Sequence, residues 1–169
     1  DPTGAPDTGE DFNGSRDLDH LGTVTRNNIK AYMQFLKNEM GYAGWRYDFT
    51  KGFSASYVNE YNTAANASFS VGEYFDGSYD LCKNWLNGCS YKSTTFDFPL
   101  KFKLNAAWWN GGMDLTQLVW LMNGTTPQPA GLIHHTDTKR YSVTFVDNHD
   151  TYATGNPNRY NGNVRAAYA

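Results

Sequence analysis

The sequence is short of cysteine, of excess positive charge and of long apolar segments. Two cysteines occur among 169 residues, and no run of about eighteen apolar residues could form a transmembrane helix. Lys and Arg number 14 against 17 Asp and Glu, which gives a formal net charge of −3. A nucleic-acid-binding protein typically carries a clustered basic surface. The sequence therefore predicts neither a membrane-spanning helix nor a nucleic-acid interface.

The two cysteines, Cys82 and Cys89, are separated by six residues in a loop-rich stretch. An isolated close pair suits a disulfide in an oxidising compartment, and two free thiols fit the same spacing. The neighbouring His134 and His135 have no partner at a spacing typical of a metal site. No zinc site is predicted.

Aromatic residues are abundant, at 16% of the sequence, in a chain that is otherwise ordinary for a globular protein. There are twelve Tyr, ten Phe and five Trp. Aromatic faces stack on sugar rings as well as on one another. The composition thus fits a carbohydrate-binding site, and it also fits an aromatic-rich core to which Trp108 and Trp109 would contribute.

Apolar residues alternate between helical spacing and strand-length runs after an irregular first segment. Residues 1–22 are rich in Gly, Pro and Asp and predict an irregular acidic loop, and residues 23–169 predict one α/β domain. Helices are predicted from Thr23 or Thr25 to Met40 and over residues 54–65, 78–87, 99–107 and 114–122, and strands over residues 44–49, 68–73, 94–98 and 141–146. Short strands alternating with helices are typical of parallel βα units. A closed (β/α)8 TIM barrel needs about 250 residues, so four strands predict half a barrel at most.

Three acidic residues stand at the ends of predicted strands or just beyond them: Asp48, Glu73 and Asp150. In a (β/α)8 barrel the C-terminal strand ends converge on one mouth, where active sites lie. Retaining glycoside hydrolysis needs two carboxyl groups about 5–5.5 Å apart on either side of the scissile bond. We therefore expect these residues to form a catalytic group, although a single acid at a strand end can equally be a surface residue or a helix cap.

Short segments around these acids resemble those of a known family. The segments are Gly44–Phe53 (GWRYDFTKGF), Val71–Asp76 (VGEYFD) and Phe145–Thr151 (FVDNHDT). They resemble, in the same order, three segments of the α-amylase family of retaining glycoside hydrolases. The first part of the chain, with Asp7–Phe12 and Asp17–Leu21, looks like plant-type α-amylases and their bacterial relatives. The resemblance implies part of a catalytic (β/α)8 barrel over residues 23–169, preceded by the end of a calcium-binding loop region over residues 1–22.

The resemblance assigns a catalytic role to each acid. Asp48 would be the nucleophile, and Arg46, two residues earlier on the same strand face, would favour its charged form. Glu73 would donate a proton to the leaving oxygen and then act as a base toward water. A nearby carboxylate raises the pKa of such an acid, which suits this role. Asp150 would be the third carboxylate and would stabilise positive charge at the anomeric carbon.

Two further residues are implied as substrate-binding groups. His149 would hydrogen-bond the sugar that Asp150 holds, and Lys51 would reach sugars on the leaving-group side. A solvated residue at a helix start is the alternative interpretation of Lys51.

Acidic residues also crowd into the first segment with few basic partners. Asp7, Asp11, Asp17 and Asp19 offer the hard oxygen ligands that Ca²⁺ prefers, without the spacing of an EF-hand. The resemblance implies two ions, one held by Asp7, the Glu10 carbonyl, Asp17 and the Gly52 carbonyl, and one held by Asp11, the Phe12 and Ser15 carbonyls and Asp17. The calcium-binding Asn of the family has no counterpart here, so the implied site is incomplete. A solvated acidic loop is the alternative.

We therefore expect an α-amylase-type hydrolase that cleaves internal α-1,4-glucosidic bonds of starch or a related α-glucan with retention. A sister glucosidase or transglycosylase with the same triad is the nearest alternative, and a non-catalytic glucan-binding relative is another. The expected full-length parent is a secreted or periplasmic monomer without a nucleic-acid or membrane partner. The chain by itself is expected to be an open part of the barrel and inactive.

Overall fold

The computed structural model describes residues 4–14, 16–109 and 111–168, which form two compact units. The first unit contains the chain up to Phe75 together with Asn84–Thr95. The second contains Asp76–Lys83 and the chain from Phe96 onward. Strands and helices alternate along most of the chain, so the predicted α/β organisation as part of a (β/α)8 barrel is confirmed.

Two helices of the first unit lie within two residues of their predicted bounds. Helix α1 spans Thr23–Asn38, and Gly41 after it adopts a φ of 77°, which a residue without a side chain tolerates best. Helix α2 spans Ala55–Ala65, and the hydroxyl of its N-cap Ser54 accepts a hydrogen bond from the backbone. Before α1, the described residues contain neither helix nor strand, as expected for an irregular segment.

Three short strands form the parallel sheet that carries the first part of the site. Strands β1 and β2 span Gly44–Tyr47 and Phe69–Gly72, and β3 spans Thr94–Phe96. Strand β2 lies between the other two, with β1 on one side and β3 on the other. The register places Tyr47 opposite Gly72, so the residue after each strand, Asp48 or Glu73, leaves the sheet at the same level.

A buried amide attaches helix α2 to the strands of this sheet. Asn62 Oδ1 accepts hydrogen bonds from the Trp45 indole at 3.1 Å and from the Tyr47 hydroxyl at 2.9 Å. Its Nδ2 donates to Ser70 Oγ at 2.7 Å and to the Lys92 carbonyl at 2.8 Å. Every polar atom of this side chain is satisfied, so burial of Asn62 stabilises one arrangement of β1 and β2.

Helix α3, Tyr79–Gly88, contributes residues to both units. Within the first unit, a Cβ atom on Gly72 would lie 2.3 Å from the Trp85 ring, so only glycine allows the strand and this part of the helix to approach so closely. Cys82 on α3 and Cys89 directly after it are both buried and are not joined by a disulfide.

The second unit contains α4, a set of short strands and α5. Helix α4 spans Phe98–Ala107, and the carboxylate of its N-cap Asp97 accepts a hydrogen bond from the Leu100 N–H. The other elements are β4 (Trp108–Trp109), β5 (Gly112–Met113), β6 (Val119–Met122), β7 (Thr126–Pro129), β8 (Ser142–Val143) and α5 (Val164–Tyr168). The core of this unit packs Leu104 against Val146 and Tyr160.

The predicted helix over residues 114–122 is wrong. A 3-10 turn at Leu115–Gln117 is followed by the antiparallel hairpin of β6 and β7. Asn123 and Gly124 connect the two strands with φ values of 53° and 73°. An Asn-Gly pair flanked by apolar and β-branched residues is a strong hairpin signal, because both turn residues need positive φ. The apolar spacing of this short segment fits a helix and a strand equally well.

The predicted strand over residues 141–146 is shorter than expected. Tyr141 closes a 3-10 turn, and β8 contains only Ser142 and Val143. Val143 pairs through its carbonyl, which accepts a hydrogen bond from the Asp97 N–H at 2.9 Å. The following residues leave the strand and begin the segment that carries His149 and Asp150.

Among the described residues, no helix is long and apolar enough to cross a membrane.

Candidate active site

One guanidinium group joins two carboxylates at the ends of neighbouring parallel strands. Arg46 Nη1 lies 2.5 Å from Asp48 Oδ1, and Nη2 lies 2.8 Å from Glu73 Oε1. Arg46 and Asp48 share one face of the chain because side chains alternate along a strand. Glu73 follows β2, the neighbouring strand, at the same level. A planar guanidinium presents two donors in a fixed geometry, and it can therefore fix the two carboxylates relative to each other.

Glu73 is almost completely buried, with 7% of its surface exposed. Its Oε2 accepts a hydrogen bond from the Phe49 N–H at 3.1 Å, and its backbone N–H donates to the Tyr47 carbonyl. Phe49 adopts a φ of 43°, which turns the chain so that its N–H points at Glu73. This is a sparsely populated conformation for an aromatic residue, and such strain is often found at functional sites.

The surroundings of Glu73 favour a protonated carboxyl group. Burial raises the pKa of Glu73, and the Phe49 N–H and the Arg46 charge lower it. The Asp48 carboxylate raises the pKa again through its charge and a hydrogen bond, and the net shift is upward. A carboxyl group with this balance can hold a proton at a pH where an exposed one has lost it.

Asp48 has the opposite surroundings, because 75% of its side chain is exposed to solvent. Its carboxylate is paired with Arg46 and remains accessible from the open end of the sheet. Two carboxyl groups in such different settings can serve as an acid and a nucleophile in one reaction.

Asp150 and His149 lie in the second unit, in the segment after β8. His149 Nε2 lies 3.0 Å from Asp150 Oδ2, and both side chains are exposed. The Asn148 side chain accepts a hydrogen bond from the Asp150 N–H, and the Asp150 carbonyl accepts one from Asn156. The convergence of Asp150 with Asp48 and Glu73 stays a prediction.

Lys51 is mostly buried on the short turn that follows β1. Its Nζ lies 3.0 Å from the Glu10 carboxylate and 5.7 Å from the centre of the Tyr74 ring. The residue therefore links the first segment of the chain to the site. Its role toward a sugar stays a prediction.

Three of the acids implied as calcium ligands interact with one another. Burial, a hydrogen bond with Asp7 and the charges of Asp7 and Asp11 raise the pKa of Asp17 to about 6. The Gly9 N–H donates to Asp7 and is the main cause of the lowered pKa of that group. Carboxylates this close repel one another unless a proton or a cation lies between them.

The first segment packs against the turn that contains Gly52. The Glu10 N–H donates to the Lys51 carbonyl at 2.8 Å. A Cβ atom on Gly9 would lie 2.4 Å from the carbonyl carbon of Gly52, so glycine is required there. The Glu10 carbonyl oxygen, implied as a ligand, lies 3.7 Å from the position that a Cβ atom on Gly52 would occupy.

The remaining implied calcium ligands are the carbonyl groups of Phe12 and Ser15. The Phe12 ring packs 5.4 Å from that of Phe49, and Ser15 lies outside the described residues. Over residues 4–14, 16–109 and 111–168, no group of three or more His, Cys, Asp or Glu is arranged to hold a metal ion. The donor chemistry suits a hard cation, and the calcium site stays a prediction.

Two contacts of the site were not expected from the sequence. Arg46 was expected beside Asp48 alone, and the Phe49 N–H had no expected role. Both follow from the β1–β2 register, which aligns Asp48 with Glu73. The alternation of side chains along β1 is readable from the sequence, but the register is not.

The chain is similar in sequence to several curated proteins that are named as amylases or glucan hydrolases. The chain is 32% identical over 161 residues to probable alpha-amylase 2 of Arabidopsis thaliana, a match that covers 87% of this chain and 37% of the relative. It is 32% identical over 157 residues to a glucan 1,4-alpha-maltotetraohydrolase of Stutzerimonas stutzeri, covering 79% of this chain and 26% of the relative. No protein-family model matches the chain.

A solved structure supports the fold. The structure of an alpha-amylase from Malbranchea cinnamomea matches with a TM-score of 0.60 and 18% identity, over 80% of this chain and 26% of that one. The chain spans between 26% and 37% of the length of these three proteins.

Proposed function

Because the chain is related in sequence to α-amylases of plants and bacteria and spans only part of their length, we propose that it is part of the catalytic domain of a retaining hydrolase of α-1,4-glucans. The observation that carries this proposal is the bridge from Arg46 to Asp48 and Glu73 at the ends of β1 and β2. A buried carboxyl group with a raised pKa beside an exposed, paired carboxylate is the arrangement that retaining glycoside hydrolysis requires.

In the first step, the Glu73 carboxyl group gives its proton to the glycosidic oxygen, and an Asp48 oxygen attacks the anomeric carbon. The bond from that carbon to the leaving sugar breaks, and a glycosyl ester forms on Asp48. In the second step, the Glu73 carboxylate takes a proton from water while the water oxygen attacks the anomeric carbon. The ester bond breaks, Asp48 is released as a carboxylate, and the product keeps its original configuration.

Arg46 has a role in both steps. It fixes the direction from which the Asp48 carboxylate meets the sugar. Its contact with Glu73 also limits the rise in the pKa of that group, so that the proton can leave in the first step. A donor positioned before the reaction needs no rearrangement as charge develops.

Asp150 and His149 would bind the sugar whose bond is broken. An exposed carboxylate and an exposed imidazole 3.0 Å apart can both reach hydroxyl groups of one ring. A carboxylate on that ring stabilises positive charge at the anomeric carbon in the transition state. Lys51, held by Glu10, would bind sugars on the leaving-group side.

One calcium ion would be held by Asp7, Asp17 and the carbonyl groups of Glu10 and Gly52, and a second by Asp11, Asp17 and the carbonyl groups of Phe12 and Ser15. Binding of calcium would neutralise the repulsion among these carboxylates, which adds to the effect of burial in raising the pKa of Asp17. It would also hold the first segment against the turn after β1. This role is structural, and no step of the reaction requires it.

Starch or a related α-glucan is the proposed substrate, with cleavage at internal bonds. The maltotetraohydrolase among the relatives indicates that product size can vary around a similar site. A glucosidase or transglycosylase with the same three acids is therefore the second candidate. A non-catalytic glucan-binding protein is less favoured, since such a protein has no need for the Arg46 bridge.

The parent is proposed to act as a secreted or periplasmic monomer.

The test follows the anomeric configuration of the first product by NMR. The full-length parent is mixed with a maltooligosaccharide and spectra are taken before mutarotation. The α anomer is expected to appear first. A β anomer would mean inversion and would contradict the role of Asp48 as a nucleophile.

A further inference from the structure

Lys101 on α4 is completely buried, with 0% of its side chain exposed. Lysine is almost never fully buried unless its charge is paired. Its ammonium group has three acceptors: the Asp147 carboxylate at 2.9 Å, Asn105 Oδ1 at 3.0 Å and the Asn158 carbonyl at 2.6 Å. Since an ammonium group has three N–H donors, all of them are used.

The carboxylate that receives this ammonium is itself the centre of a network. Asp147 Oδ1 also accepts a hydrogen bond from the Thr151 hydroxyl at 2.9 Å, and its oxygens accept from the Tyr160 N–H at 3.1 and 3.2 Å. Burial raises the pKa of Asp147, but the hydrogen bonds from Lys101, Thr151 and Tyr160 outweigh it and lower the pKa. The carboxylate is therefore held in its charged form, opposite a buried cation.

These contacts hold both ends of the segment from Asp147 to Tyr160 at the Lys101–Asp147 ion pair. Asp147 stands at the start of the segment and Asn158 and Tyr160 at its end, and all three meet at the Lys101–Asp147 pair. Within the segment, Thr151 Oγ1 accepts a hydrogen bond from the Asn148 N–H at 3.0 Å. His149 and Asp150 lie between Asn148 and Thr151 and point outward into solvent.

We propose that Lys101 is a positioning residue, which fixes the direction of Asp150 and His149 by anchoring the loop from Asp147 to Tyr160 at both ends. The residue touches no substrate and acts only through the loop. The inference rests on the proposed function, since it assigns a purpose to the direction of Asp150. Breaking a buried ion pair leaves an uncompensated charge, so the loop would rearrange when Lys101 is lost.

The test measures kcat and KM of the full-length parent on a maltooligoside with an activated aryl leaving group. In Lys101→Met, kcat is expected to fall by about 10- to 100-fold, because a displacement of about 1 Å at a transition-state contact has an effect of that size. KM is expected to change little. The control is Lys103→Met, which alters a partly exposed lysine two residues further along α4 and should leave kcat within about twofold.

A double variant separates positioning from a general loss of structure. Asp150→Asn should lower kcat by itself, and Lys101→Met should add less than about twofold in that background, because the group it positions is already lost. The same fold loss in both backgrounds, or a Lys101→Met variant that behaves like Lys103→Met, would overturn the proposal. An Asp150→Asn variant with unchanged kcat would overturn the proposed function together with it.

If Lys101→Met fails to fold, Thr151→Val carries the test. This change keeps the shape of a buried side chain and removes only the hydroxyl that ties the loop to Asp147. A fall in kcat of about three- to tenfold is expected from the loss of the hydrogen bonds that the hydroxyl makes with Asp147 and with the Asn148 N–H, again without a further effect in Asp150→Asn. An additive loss would contradict the positioning role.

Discussion

Arg46 Nη2 donates to Glu73 Oε1 at 2.8 Å, and the same guanidinium binds Asp48 through its other terminal nitrogen. The proposed acid and the proposed nucleophile are thus fixed by one side chain. Replacing Arg46 with Met in the full-length parent should lower kcat by at least about 100-fold, because the positions of both groups are lost.

The pH profile of Arg46→Met gives a more specific readout. Arg46 lowers the pKa of Glu73, so its loss should raise that pKa further and move the basic limb of kcat/KM to higher pH. Arg26→Met, a variant of a partly buried arginine paired with Glu60 on the helices behind the sheet, is the control and should leave the limb in place. A basic limb that stays or moves to lower pH would contradict the assignment of Glu73 as the acid.

Stability should depend on Glu73 in the direction opposite to activity. Its pKa is raised in the folded protein, so folding is disfavoured by ionisation once the pH exceeds the ordinary glutamate value of about 4.3. Glu73→Gln is expected to raise Tm at pH 7 by a few degrees, with the difference disappearing as the pH falls below about 4.

Glu60 provides the control of opposite sign. The hydrogen bond from Lys30, followed by the other contacts with Lys30 and Arg26, lowers the pKa of Glu60 against the effect of burial. Its stabilising effect is present at neutral pH and is lost as the pH falls through the lowered pKa. Glu60→Gln should therefore lower Tm at pH 7. A shift of Tm in the same direction in both variants would contradict the opposite pKa shifts assigned to Glu73 and Glu60.

Calcium removal should destabilise the full-length parent. A ligand that binds only the folded state raises its stability by mass action, so EDTA should lower Tm and added Ca²⁺ should restore it. In Asp17→Asn the response to EDTA should be smaller, whereas Asp80→Asn, at an exposed position of α3, should respond like the wild type. An unchanged Tm in EDTA would favour a solvated acidic loop.

Expressed alone, the 169 residues are expected to be poorly soluble and inactive on starch. Phe69 at the start of β2 is half exposed, and three large apolar side chains on and after α1 are exposed as well: Tyr32, Met40 and Tyr42. Exposed apolar patches of this kind favour aggregation. Replacing Tyr32 and Phe69 with Lys should improve solubility without producing activity. A monomeric chain that degrades starch would contradict this expectation.

The sequence predicts those elements whose limits have local causes. Helix α2 begins at the cap residue Ser54, and α1 ends shortly before Gly41, within two or three residues of expectation. The helix predicted over residues 114–122 is a hairpin, because a short apolar segment fits both periods and the Asn123–Gly124 turn decides between them.

The site is only partly readable from the sequence, for a physical reason. Asp48, Glu73 and Asp150 stand in segments that resemble those of a known family, so the sequence alone identifies them as candidate catalytic residues. The contact between Arg46 and Glu73 depends on the β1–β2 register, and the burial of Lys101 against Asp147 joins residues 46 positions apart. Neither is set by local sequence.

The covalent intermediate tests the central claim most directly. A fluorinated maltosyl fluoride, which slows the second step more than the first, is incubated with the full-length parent carrying Glu73→Gln, and the digest is examined by mass spectrometry. The fluoride needs little acid assistance to leave, so the Glu73 variant can still form the ester. The account predicts a glycosyl label on the peptide that contains Asp48, located on Asp48 itself. A label on another carboxylate, or none while the substrate is consumed, would contradict it.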